Sequence, residues 1–169
     1  MTRKPLLLML VTLVIGPGWL QAFSVSGNEG LCEKNAAALA RDGKIDAGLA
    51  AIRQCIADNP TQAKAHVVLG HLLLDRGDAP QAMASFERAL ALEPRSSAAR
   101  TGKGMVLARN GDLKAAESML KEALQLNPDP ARTHYELGLV YERLGDLQGA
   151  LGHFKQGISA FEQEKGRQP

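Results

Sequence analysis

Along His134–Asp146 apolar and small residues recur at Leu137, Gly138, Tyr141 and Leu144. Steps of one, three and three place all four on one face of a helix, because three to four residues make about one turn. Gly145 stops that helix, as glycine does at a helix end, and Asp146 is placed to cap the next one. The stretch therefore predicts two helices joined by a Gly-Asp turn. The pattern recurs. Gly43, Gly77, Gly111 and Gly145 stand 34 residues apart, and so do Pro60, Pro94 and Pro128. Ala82, Ala116 and Ala150 keep the same step, as do Asp78, Asp112 and Asp146. Each of the three prolines follows a helical run that it cannot continue. A period of this length is the mark of a solenoid built from helix pairs.

The repeated positions carry a further signature. The second repeat reads His66, Leu69-Gly70, Leu73, Ala82, Phe86, Ala89, Pro94, and the third reads Arg100, Lys103-Gly104, Leu107, Ala116, Leu120, Ala123, Pro128. The fourth reads His134, Leu137-Gly138, Tyr141, Ala150, Phe154, Gly157 and lacks the final proline. The first diverges most, with Cys32, Asn35-Ala36, Leu39, Gly48, Ile52, Cys55 and Pro60. These residues resemble the tetratricopeptide repeat (TPR) family, whose pattern is a large residue, Leu-Gly, a large residue, then Ala, an aromatic, Ala and Pro. The resemblance implies an all-α fold: an α-solenoid of four helix-turn-helix repeats over 29–62, 63–96, 97–130 and 131–164, with a polar tail at 165–169. The departures are His or Arg where the family favours Trp, and Lys103 where it favours Leu. They are expected to loosen packing in the third repeat without changing topology. Aromatics make up only 4% of the residues, which fits helices packed closely through Ala and Gly.

Residues 1–27 stand apart from the repeats. Arg3 and Lys4 give a positive start, Leu6–Ile15 is an apolar run, Gly16-Pro17-Gly18 breaks it, and small residues follow. This is the layout of a secretory signal peptide, with Ala22, Ser24 and Ser26 as candidate cleavage points. The run is shorter than the roughly 20 residues a membrane span needs. The alternative is an uncleaved anchor over Leu6–Val25, holding the protein at the membrane facing the periplasm. No Cys directly follows the apolar run, so a lipoprotein anchor is not expected. Loss of residues 1–22 removes Arg3 and Lys4 and no acid, leaving 18 basic residues of 20 against 18 acidic ones. A neutral mature chain lacks the basic stripe that nucleic acid requires, and gives no reason to expect binding to anionic lipid.

Both cysteines lie in the first repeat. Residues equidistant from the turn of a helix hairpin face each other. Cys32 lies 11 residues before Gly43 and Cys55 lies 11 after Lys44. A Cys32–Cys55 disulfide is therefore expected in an oxidising compartment, where it would staple the terminal repeat. The alternative is two small buried thiols.

In the TPR family the first helices of the repeats line a concave groove. By register, the resemblance places Lys64, Val67, Val68, His71 and Leu74 in it, then Thr101, Met105 and Arg109, then Arg132, Tyr135, Leu139 and Arg143. An apolar middle rimmed by mixed charge suits an apolar peptide or amphipathic helix. The alternative is that several of these residues simply pack between repeats. Where some TPR proteins hold a carboxylate with Lys and Asn, this chain has Glu33 and Ala37, so no carboxylate clamp is expected. At the C-terminal end no separate capping helix fits. Ile158 and Phe161 are expected either to pack back on their own repeat or to form a second contact surface, including one for self-association.

Catalytic chemistry is not evident. His66, His71, His134 and His153 are scattered in sequence. His66 and His71 do not share a helix face, and His66 and His134 hold one repeat position two repeats apart. Thr101-Gly102-Lys103-Gly104 lacks the spacing and preceding strand of a phosphate loop. No metal site, cofactor or enzyme activity is expected. The reading is a protein-protein interaction module of the bacterial periplasm, a scaffold or assembly factor for an envelope protein. The alternative is a structural subunit of an envelope complex of the pilus, secretion or cytochrome-assembly type, docked through its uncapped C-terminal face.

Overall fold

The computed structural model describes residues 30–127 and 130–166. The expected signal peptide and the end of the polar tail lie outside the described residues. Within them the chain forms eight helices and no strand. In order these are α1 (Leu31–Arg41), α2 (Ile45–Asp58), α3 (Ala63–Arg76), α4 (Ala79–Leu92), α5 (Ser97–Arg109), α6 (Leu113–Leu126), α7 (Ala131–Leu144) and α8 (Leu147–Gly166).

The turns inside each pair are built alike. Gly43, Gly77, Gly111 and Gly145 all adopt positive φ, between 78° and 92°, a conformation open to glycine because it has no Cβ. Each glycine amide donates back to a carbonyl of the helix it ends, and the following residue's amide donates one residue deeper, as in Gly77 to Leu74 and Asp78 to Leu73. Those bonds satisfy carbonyls that would otherwise be orphaned at the helix end. Three of the next helices then open on an aspartate cap. The carboxylates of Asp78, Asp112 and Asp146 accept from the amides of Gln81, Ala115 and Gly149. Lys44 holds that position in the first repeat and makes no such bond.

Between pairs, the residues standing where the family favours Trp act on the preceding loop. The His66 ring Nε2 lies 3.2 Å from the Pro60 carbonyl oxygen. Arg100 donates to the Pro94 carbonyl at 2.7 Å. Lys103, a polar substitute for Leu, reaches Glu87 of the preceding pair at 3.1 Å. The third repeat thus replaces apolar contact by an ion pair across the junction.

Packing within a pair depends on a small residue meeting a large one. A Cβ on Gly70 would fall 2.6 Å from the Phe86 ring, one on Gly104 would fall 2.6 Å from Leu120, and one on Gly138 would fall 2.4 Å from Phe154. The first helices α1, α3, α5 and α7 touch one another in succession, whereas the second helices do not. A stack drawn together on one side curves toward that side, so the first helices line the concave face. Two apolar clusters fill the stack. One runs from Ala36 through Phe86 to Val106, and the other joins Ala116, Leu120, Leu137 and Val140. Helix α8 is 20 residues long where α4 and α6 have 14. It overruns its repeat, and no helix follows it among the described residues.

Candidate functional site

The concave face presents the residues that the register assigned to it in three different states. Lys64, Arg109, Arg132, Tyr135 and Arg143 are exposed, and Val68, His71 and Leu139 are partly buried. Val67, Leu74, Thr101 and Met105 are buried. Leu74 is 0% exposed and forms part of the wall beneath the groove. The Thr101 hydroxyl lies 2.8 Å from that of Thr133, a hydrogen bond between neighbouring first helices.

Two of the expected groove cations are engaged by the backbone. Arg109 donates to the Leu74 carbonyl and Arg143 donates to the Ala108 carbonyl. Each carbonyl already accepts from a turn glycine, Gly77 or Gly111. The arginines therefore clamp the C-terminal end of the preceding first helix, where its dipole favours a cation. Their alkyl stems remain available to cover apolar surface.

The groove has a small recess of about 140 Å³ lined by His71, Ala98, Thr101, Arg132 and Thr133, among others. His71 stands edge-on to Phe86, with ring centroids 5.1 Å apart. Its Nδ1 is buried with no hydrogen-bond partner among the described residues. Burial, and secondarily the positive charge of Arg132, lowers its pKa to about 3, so the ring is neutral. Arg132 also acts on Glu136, whose pKa is pushed up by burial against the pull of Arg132 and Arg109. The arrangement offers apolar walls, a neutral imidazole acceptor or donor and flanking guanidinium groups. It offers no nucleophile paired with a base.

A second concavity, open and about 1230 Å³, lies at the C-terminal end between α7 and the long α8. Arg132, Tyr135, Phe154, Ile158 and Phe161 line it. Ile158 is 60% exposed and Phe161 59%, so neither packs back on its own repeat.

The cysteines meet as the turn geometry required. Their Cα atoms are 6.2 Å apart, within the span a disulfide bridges. One pairing was not foreseen. His134 and His153, apart in sequence, bring their Nδ1 atoms to 3.2 Å, with Tyr141 stacked on His153. The Tyr141 hydroxyl donates to Glu117, which also takes Lys121 at 2.6 Å. Hydrogen bonds from Lys121, then from Tyr141, lower the Glu117 pKa. Burial, then the charge of Lys121, lowers that of His153. Gly157 faces His134, and His153 lies four residues nearer the turn, one helical turn that two rings can bridge. No group of three or more His, Cys, Asp or Glu among the described residues is arranged to hold a metal ion.

The sequence profile of the cytochrome c-type biogenesis protein H TPR domain matches residues 31–168. The chain belongs to that family. No curated protein matches it. Among solved structures, this TPR chain is similar to TTC0263, a thermophilic TPR protein of Thermus thermophilus, at 27% identity and a TM-score of 0.69 over 76% of this chain and 74% of that one. It is similar to MamA (MSR-1) at 26% identity and a TM-score of 0.56, over 76% and 74% of the two chains. Pseudomonas aeruginosa PilF, at 21% identity and a TM-score of 0.66 over 77% of this chain and 60% of that one, shares the fold. TPR domains are generally non-catalytic modules that bind other proteins. No helix among the described residues is long and apolar enough to cross a membrane.

Proposed function

We propose that the chain is an assembly factor of the bacterial cell envelope, exported to the periplasm, that holds an amphipathic helix of a client protein in its concave groove during cytochrome c maturation. The observation that carries this reading is the family match over residues 31–168, whose description is that of a cytochrome c biogenesis TPR domain. The groove's chemistry agrees with it. Val68 and Leu139 supply partly covered apolar surface, Lys64 and Arg132 supply exposed charge at the rim, and the recess at His71 admits a small apolar side chain. An amphipathic helix laid along such a groove buries its apolar face and leaves its charged face to the rim.

Export also accounts for the cysteine pair, since an oxidising compartment closes a bridge whose partners already lie at bonding range. Titration of the purified chain with a haem-free c-type cytochrome, followed calorimetrically, tests the reading. Binding is expected for the wild type and lost by at least tenfold in Val68→Glu and Ala98→Glu, both in the groove, while circular dichroism stays helical. Unchanged binding by both variants moves the site off the groove. No binding by the wild type removes the cytochrome client.

A further inference from the structure

The two ends of the solenoid are complementary halves of the junction that repeats inside it. At each inner junction a first helix covers fixed positions on the preceding repeat and buries fixed positions of its own. Val67 and Thr101 are buried at 8% and 4% because the next first helix covers them. Their equivalent in the last repeat, 34 residues on from Thr101, is Tyr135, which is 53% exposed. On the covering side, Ala65, Ala99 and Thr133 are essentially buried, yet their equivalent in α1, Leu31, is 61% exposed. Thr101 meets Thr133 across the inner junction. The same register pairs Tyr135 of one molecule with Leu31 of another.

The polar half of the junction is split in the same way. Arg109 donates to the Leu74 carbonyl and Arg143 to the Ala108 carbonyl. The next carbonyl in the series is that of Glu142, which accepts from Gly145 just as Leu74 and Ala108 accept from Gly77 and Gly111. Among the described residues no further first helix follows α7 to bring an arginine to it. The donor that belongs to the series stands instead at the other end: Arg41 of α1 lies 68 residues before Arg109 and is exposed. Both faces carry mixed charge, Glu33, Lys34 and Arg41 on α1 and Arg132, Glu162, Glu164 and Lys165 around the open concavity, so register and the split arginine series specify the pairing.

We infer that the protein associates head to tail, α1 of one copy seating on the α7–α8 face of the next as a fifth repeat would. Leu31 covers Tyr135 and Arg41 donates to the Glu142 carbonyl. Phe161 and Ile158, on the overrun of α8, close over the incoming helix. Such an interface is heterologous and does not close on itself, so it propagates into a continuous solenoid with an extended groove.

Sedimentation velocity of the purified chain over a wide concentration range tests this, with two blocked variants. One carries Leu31→Glu and Arg41→Glu at the head, and the other carries Tyr135→Glu and Phe161→Glu at the tail. All four are surface positions, and circular dichroism checks that each variant stays helical. The wild type is expected to form a concentration-dependent series of oligomers, and each variant alone to stay monomeric. An equimolar mixture is expected to form a one-to-one dimer and nothing larger, because one good head and one good tail remain. A wild type that is monomeric at the highest attainable concentration overturns the inference. So does a head-blocked variant that still dimerises alone, which would mean tail-to-tail pairing, and so does a mixture of folded variants that fails to pair.

Discussion

Phe86 sets how closely the second and third repeats approach. Its ring is fully buried and is met from its own repeat by Gly70 and from the next by Gly102, where a Cβ would fall 2.2 Å away. The ring is rigid and enclosed, so it has no room to withdraw. Gly102→Ala is expected to destabilise the protein by about 1–3 kcal/mol through overpacking, and adding Phe86→Leu is expected to recover part of that loss. Denaturant midpoints of the two variants check the coupling, and equal midpoints would dissociate the two residues. His71 gives a prediction in pH. The unfolded ring takes up a proton below about 6.5, whereas the folded ring resists it down to about 3. The unfolded state therefore binds more protons in that window, and stability falls as the pH drops through it. The slope from this one ring is at most about 1.4 kcal/mol per pH unit. Between pH 7 and pH 5 the wild type is expected to lose more stability than His71→Gln, measured by denaturant unfolding at each pH.

At the scale of the element, much was legible in the sequence because helix ends are chemically marked. Gly77, Gly111 and Gly145 stop their helices, and Asp78, Asp112 and Asp146 start the next ones. The groove was less legible. Register tells which face of a helix a residue occupies, but burial depends on how far the next repeat covers it. Val67 and Thr101 disappear under a neighbour, while Tyr135, at the same position, stays open for want of one. The carbonyl clamps of Arg109 and Arg143 were hidden for a related reason, since a backbone acceptor leaves no mark in sequence. The meeting of Cys32 and Cys55 was legible, because it depends only on distance from a turn. Among the described residues helix α1 packs on α2 and α3 alone, so a bridge there ties a terminal helix to its pair. Oxidised protein is expected to exceed reduced protein in stability by about 3 kcal/mol on the chain-entropy model. Intact mass after alkylation without reductant should show no added label. Two labels on folded protein exported in its native host would show that the bridge does not form.

Across the whole molecule, stability comes from neighbour contacts and function from the surface those contacts leave over. A stack pinched along its first helices makes a groove without any residue being devoted to shaping it. Of the residues that register assigns to that groove, Val68 and Leu139 keep partly covered apolar surface, and Lys64 and Arg132 are exposed. The central claim is that this concave face holds a client helix. Site-specific photocrosslinking in the native host tests it most directly, with the photoreactive residue placed at Ala98 in the groove or at Arg88 on the opposite, exposed side of α4. A discrete crosslink to an envelope protein is expected from position 98 and none from position 88. The same adducts from both positions, or an adduct from position 88 alone, would contradict the claim.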